Sequence, residues 1–412
     1  MRRILVVLMT AAALAVPAPL AEATVPLAGP IDLVGELDGA PFEIRVPADW
    51  NGTLVMYAHG YRDLADHPGE VDDRSASAFV NDATEQAMLG AGYAIAGSAY
   101  SSNGWAVREG IRDTQALVQH FRQVVGKPER TLLAGFSMGS VIAFDSIESL
   151  HGVYDGALPS CAVGAGAPLA FDGTLAVGSA YDAVFGWPAA WGTPADVRDD
   201  LDFESEVLPT LIAQITAPGG FGRFEFIRLV TGAPAGHEWP FGIFFFTTEG
   251  RAEIERRAGS GVVQNADHTY TLSAANRAYL AGLGVSGAAA DGWITDMMAN
   301  RVSADNPARH YLARYAEYSG NIKDPVLTLG TRVDALVPPA HISVYNDTVR
   351  RPELLANAWT SGVGHCNFTI PQLVTAVTAL DTWVRTGVRP ATFPPEEGFV
   401  EYTPPPWPQP TG

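Results

Sequence analysis

The segment Gly135-Phe136-Ser137-Met138-Gly139 reads G-x-S-x-G. It directly follows the apolar run 131–134 and leads into a periodic stretch through Ile142, Ile147 and Leu150. Ser137 therefore stands at a strand-to-helix turn, where a strained backbone lifts the hydroxyl clear of a sheet. The flanking glycines suit such a turn, because close passage of helix and strand leaves no room for a Cβ. A serine hydroxyl is a weak nucleophile alone: it needs a base beside it, and the base needs a carboxylate to hold its tautomer. Both follow downstream, acid before histidine. Asp334 lies just past the apolar run 325–329, and His365 sits in Gly364-His365-Cys366-Asn367-Phe368, just past a second run at 355–360. Such a set does acyl transfer: Ser137 attacks, His365 carries the proton, and Asp334 orients the ring.

Nine histidines compete for the base role. His67, His120 and His151 fall in segments where a packed or solvated histidine is the default. His237, His268 and His310 belong to the middle of the chain, and His59 reads as structural. His341 is the nearest rival, on a helix start soon after Asp334. For the acid, Asp324 precedes its strand and would sit at the wrong end of the sheet, while Asp347 stays open as an alternative to Asp334. The oxyanion of acyl transfer needs two backbone N–H donors already in place. Met138, next to the nucleophile, supplies one, and Tyr61 of His59-Gly60-Tyr61, after the run 53–58, supplies the other. The segment 101–105 follows the neighbouring strand and is a candidate for the substrate mouth.

Two blocks of alternating strand and helix signals position these residues. In the first, runs at 53–58, 93–100 and 131–134 alternate with helical stretches near 82–89 and 107–125, the latter with Val107, Ile111, Val118, Phe121 and Val125 near a 3.6-residue period. The second holds the runs 325–329 and 355–360 and a closing helix that opens on the capping box Thr369-Ile370-Pro371-Gln372. Short links between strand and helix imply a mostly parallel sheet covered on both faces. Neither block has enough strands alone, so both belong to one α/β core, residues 24–170 and 323–390. Residues 171–322 break the alternation and carry many aromatics, among them Phe185, Trp187, Trp191, Phe224 and Phe244 to Phe246. They read as an inserted, largely helical cap whose aromatics mostly pack, with a minority lining a pocket. Residues 391–412 form a proline-rich extended tail.

Met1-Arg2-Arg3, the apolar run 4–16 and Ala21-Glu22-Ala23 form a secretory signal cleaved after Ala23. The run falls short of the roughly 20 residues of a membrane span, so no stable membrane anchor is expected. A formal net charge of −19 argues against nucleic acid as a partner, because phosphate binding needs clustered Lys and Arg. The two cysteines, Cys161 and Cys366, can persist as a disulfide in an exported chain; two unrelated buried thiols are the other reading. No zinc spacing or phosphate-cradling loop is seen, so neither metal nor cofactor is expected.

His59-Gly60, the elbow 135–139, Asp334 and His365, in this order and context, resemble the α/β-hydrolase superfamily over residues 40–390. The resemblance implies an eight-stranded, mostly parallel sheet with a cap after the sixth strand. Asp49-Trp50-Asn51-Gly52-Thr53 together with Gly364-His365-Cys366-Asn367-Phe368 is similar to a branch of exported bacterial hydrolases described as esterases or peptidase-like proteins. Cys366 beside the base is similar to feruloyl esterases and tannases, in which a disulfide ties the nucleophile and histidine loops. Here Phe136 precedes the serine, and the cysteine follows the histidine instead of preceding it. The implied function is hydrolysis of a small-molecule or polymeric ester through an acyl-enzyme. A secreted serine peptidase (prolyl-oligopeptidase-like or aminopeptidase-like) and a noncatalytic binding protein on the same fold are the alternatives.

Overall fold

A computed structural model describes residues 30–67, 70–236 and 239–407; the expected signal segment and His237 lie outside them. The described residues begin with a hairpin, β1 (Ile31–Leu37) and β2 (Ala40–Val46), turning at Asp38 and Gly39, both with positive φ. Next come β3 (Thr53–Ala58), α1 (Asp82–Gly90), β4 (Ala94–Ser98), α2 (Val107–Val124), β5 (Arg130–Phe136), α3 (Met138–Ser149) and β6 (Gly156–Ser160). An insertion follows: α4 (Gly166–Phe185), a small hairpin β7 (Gly192–Thr193) and β8 (Asp196–Val197), then α5 (Leu208–Thr216), α6 (Gly220–Val230), α7 (Phe241–Thr247), α8 (Glu249–Ala258), α9 (Ala274–Gly282), α10 (Gly287–Ala299) and α11 (Asn306–Ala316). The core resumes with β9 (Val326–Val333), α12 (His341–Thr348), β10 (Leu355–Val363) and α13 (Ile370–Thr386), and ends on β11 (Phe399–Val400).

The main sheet has the order β1-β2-β4-β3-β5-β6-β9-β10-β11, parallel from β4 through β10 and antiparallel at both edges. Its central strands are apolar on both faces because helices cover both. Leu54, Met56 and Ala58 of β3 pack with α2 and α3, whereas Val55 and Tyr57 face α1 and α13. The cap has a core of its own, built from Tyr181, Trp191, Phe224, Phe226 and Phe244.

Two features differ from the sequence expectation. The expected cap boundary at residue 171 falls inside α4, a continuous helix entered through Gly166 at φ +77. Arg309 of α11 holds its first turns by hydrogen bonds to Pro168 O at 3.0 Å and to both carboxylate oxygens of Asp172. The proline-rich tail returns to the core, where β11 adds a ninth strand beside β10 through Trp359–Val400 and Thr360–Phe399. Phe399, 4% exposed, supplies the apolar anchor for that return.

Candidate active site

Ser137 caps α3 with φ 56° and ψ −122°, a left-handed backbone that a β-carbon residue adopts only under constraint. The constraint comes from the glycines. A Cβ on Gly135 would stand 2.1 Å from Gly139 O, and one on Gly139 only 2.0 Å from Ala58 O at the end of β3. Any side chain at either position would clash with backbone, so the close approach of α3 to β5 and β3 requires both glycines.

His365 Nε2 lies 2.7 Å from Ser137 Oγ, and its Nδ1 lies 2.7 Å from Asp334 Oδ2. With the Nδ1 proton on the carboxylate side, Nε2 is left as the acceptor that a serine hydroxyl requires. Asp334 is buried, and its Oδ1 accepts the N–H groups of Leu336 at 3.0 Å and Val337 at 2.8 Å. Both loops leave the C-terminal edge of the sheet, Asp334 immediately after β9 and His365 two residues after β10. Gly364, at φ +108, donates its N–H to Val333 O and accepts from Thr331 Oγ1, tying the histidine loop to the end of β9. Cys366 is joined to Cys161 by a disulfide with the Cα atoms 5.0 Å apart, and Cys161 N–H donates to Leu329 O. The bridge thus crosses the end of β9 from the β6 side.

Met138 is the first residue of α3, so its N–H has no intrahelical acceptor. Tyr61, Met138 and Ser137 line one cavity. His59, behind them, donates Nδ1–H to Gly60 O at 2.7 Å and stacks on Tyr100 with centroids 3.9 Å apart. Burial, with the nearby Arg62 charge, pushes its pKa down to about 4. It is therefore neutral near pH 7 and holds the turn that carries Tyr61.

The rivals separate in space. Asp347 is exposed on α12. His341, the other candidate base, is buried at the start of α12 and faces the same cavity as Ser137. Its Nδ1 has no hydrogen-bond partner among the described residues, and burial pushes its pKa down to about 4. Of segment 101–105, Trp105 reaches the cavity, edge-on to Phe171 with centroids 5.0 Å apart. Among the described cap aromatics from 185 to 246, Phe246 alone lines the cavity; Phe245 also meets Tyr61 edge-on with centroids 5.7 Å apart, and the others pack within the cap or, like Phe221, face solvent.

The cavity holds about 80 Å³ and is apolar. Trp407, from the tail, closes one side, its ring edge-on to His341 with centroids 4.6 Å apart. Beyond it lies a more polar cleft shared with Asp172, Asn265 and His268. Reading the tail as extended misses this wall. The available signal is a large apolar ring, Trp407, inside a proline-rich run, where full exposure would be costly.

Strand order, the elbow at Ser137 and the cap after β6 make this an α/β-hydrolase fold. No family model matches the chain. It is 30% identical over 129 residues to an o-phthalyl amidase from Xanthobacter agilis, a match spanning 30% of this chain and 26% of that protein. Solved structures similar to it include an esterase from Aspergillus oryzae (13% identity, TM-score 0.43, covering 88% of this chain and 81% of that one). Another is feruloyl esterase B from the same organism (14%, TM-score 0.40, 87% and 80%). A third is the acylaminoacyl peptidase of Pyrococcus horikoshii (9%, TM-score 0.43, 89% and 43%).

Proposed function

We propose that the protein is a secreted serine hydrolase that cleaves carboxylic esters of short acyl groups through an acyl-enzyme. The observation that carries this reading is the unbroken relay Ser137–His365–Asp334, with both hydrogen bonds at 2.7 Å, opening into an apolar cavity. Ser137 Oγ attacks the acyl carbon while its proton passes to His365 Nε2. The tetrahedral oxyanion is held by the N–H groups of Met138 and Tyr61. Collapse breaks the bond to the leaving oxygen, which takes the proton from the imidazolium. Water, deprotonated by the same nitrogen, then releases the acid and restores Ser137.

Export is supported by the leader pattern ending at Ala23 and by the disulfide beside the base. No described helix is long and apolar enough to cross a membrane. The amidase relative favours a second reading, cleavage of an amide by the same steps with an amine leaving.

A panel of p-nitrophenyl esters of graded acyl length, beside acyl and aminoacyl anilides, tests the choice with Ser137→Ala as control. Ester turnover that falls with chain length and vanishes in the control is the expected result. Anilide turnover exceeding ester turnover transfers the assignment to amides, and silence on both leaves only a binding protein.

A further inference from the structure

We propose that His67, Glu70 and Glu249 bind one divalent cation of the zinc class, pinning the loop after β3 to the first turn of α8. These side chains offer one imidazole nitrogen and two carboxylates, with donor atoms all within 4.8 Å of one another. Zinc with nitrogen and oxygen ligands at about 2.0–2.2 Å spaces neighbouring donors about 3.5 Å apart in a tetrahedron, so small side-chain rotations close the set.

Two of the three side chains keep a buried donor atom without a hydrogen bond, which is the second and independent observation. Glu249 is only 4% exposed; its Oε2 accepts the Phe203 N–H at 2.6 Å, but its Oε1 has no hydrogen-bond partner among the described residues. His67 Nε2 is likewise buried without a hydrogen bond. The acid nearest to it, Asp66, has Oδ1 3.4 Å away and is engaged through Oδ2 by Arg256 at 2.6 Å. Glu70 already orients the group, since its Oε2 accepts the His67 backbone N–H at 2.8 Å.

The imidazole decides the class of ion. Calcium takes six to eight oxygens, whereas a nitrogen with two carboxylates suits zinc, with water completing the shell. The sequence shows no motif for this site, because Glu249 lies far from His67 and Glu70 along the chain and only the cap's seating on the core brings them together.

The full chain, stripped with EDTA and dialysed, is titrated with ZnCl₂ by calorimetry near pH 7.5 and followed by thermal melting. One zinc per chain should bind and raise Tm. Glu249→Gln, which keeps an oxygen for the Phe203 N–H, and His67→Ala should each weaken binding at least about tenfold. Glu70→Gln, on a loop, gives the same readout should the Glu249 variant disturb α8. No stoichiometric zinc, or binding unchanged in these variants, overturns the site. Calcium bound as tightly as zinc overturns the choice of ion.

Discussion

Replacing both cysteines with serine tests how the base is held. The Cys161–Cys366 bridge spans a sequence separation of 205. In the chain-entropy account a loop of that length restricts the unfolded state by about 18 cal/mol/K, or about 5 kcal/mol at 25 °C. Residual structure in the unfolded chain reduces this, so a loss of about 3–5 kcal/mol is expected on guanidinium unfolding. A local effect accompanies it. Both cysteines have left-handed backbones, φ 42° at Cys161 and 52° at Cys366, a conformation costing about 1–2 kcal/mol for an L-residue. Serine at either site inherits that strain without the bond that opposes it. The histidine loop then relaxes, and because a 1 Å misplacement can cost about a hundredfold in rate, kcat should fall by about 10- to 100-fold with KM little changed. The assay pairs unfolding curves with ester turnover for the double variant and the wild type. A double variant within about 1 kcal/mol of wild type and with full kcat would refute this account of the bridge.

Ser137→Ala and His365→Ala should each lower kcat by about 10⁴ or more, Asp334→Ala somewhat less, and the Ser137/His365 double variant little further; near-normal turnover in His365→Ala beside an inactive His341→Ala would reassign the base. Trp407→Ala should shift the ratio of kcat/KM for hexanoyl over acetyl esters by about tenfold in favour of hexanoyl, and an unchanged chain-length profile would remove Trp407 from the pocket wall. Stability should fall as pH drops from about 6.5 to about 4, because burial holds His341 and His59 down at about 4 in the fold while the unfolded chain takes up their protons. His341→Gln should lose less over that window, by up to about 3 kcal/mol. Asp145, lifted by burial to about 6, acts in the opposite direction but cancels in that comparison; parallel stability curves for the two proteins would count against a buried neutral His341.

The elbow is legible in sequence because its two glycines answer a local contact, and the strand 53–58 because a doubly covered strand is apolar without interruption. Asp334 and His365 are legible because each follows one of two successive apolar runs that form the adjacent parallel strands β9 and β10. Less is visible where burial is one-sided or distant. In β1 only Ile31 is fully buried, with Val34 exposed, so its alternation competes poorly with the strong runs of the core. Helix α4 crosses the expected cap boundary because its apolar run serves both the hydrolase core and the cap core. Position along the chain argues against His341 as the base, yet only the fold shows that it faces Ser137's cavity. Trp407 and the His67–Glu70–Glu249 cluster depend wholly on which surfaces the tail and the cap cover.

Enclosure links these features into one site. On the proposed mechanism, charge that develops on the oxyanion and on His365 during attack would be poorly screened in an apolar cavity, so two backbone donors and a carboxylate fixed by two amides would act there more strongly than in water. The same enclosure keeps His341 neutral. About 80 Å³ is smaller than the roughly 150 Å³ cavity that accommodates benzene, so a longer acyl group would either displace a wall or extend past Trp407 into the adjoining polar cleft. The cap wall has its own packed core and resists displacement as any close-packed interior does. The tail wall is held differently: residues 397–402 are anchored by two strand pairs, by hydrogen bonds from Ser361 N–H to Gly398 O and from Gln372 Nε2 to Glu397 O, and by the contact of Tyr402 with Trp359, whereas Trp407 itself meets His341 through the edge of one indole ring. On the proposed function, acyl selectivity would therefore rest on Trp407 more than on the aromatic-rich cap, whose rings are mostly committed to packing.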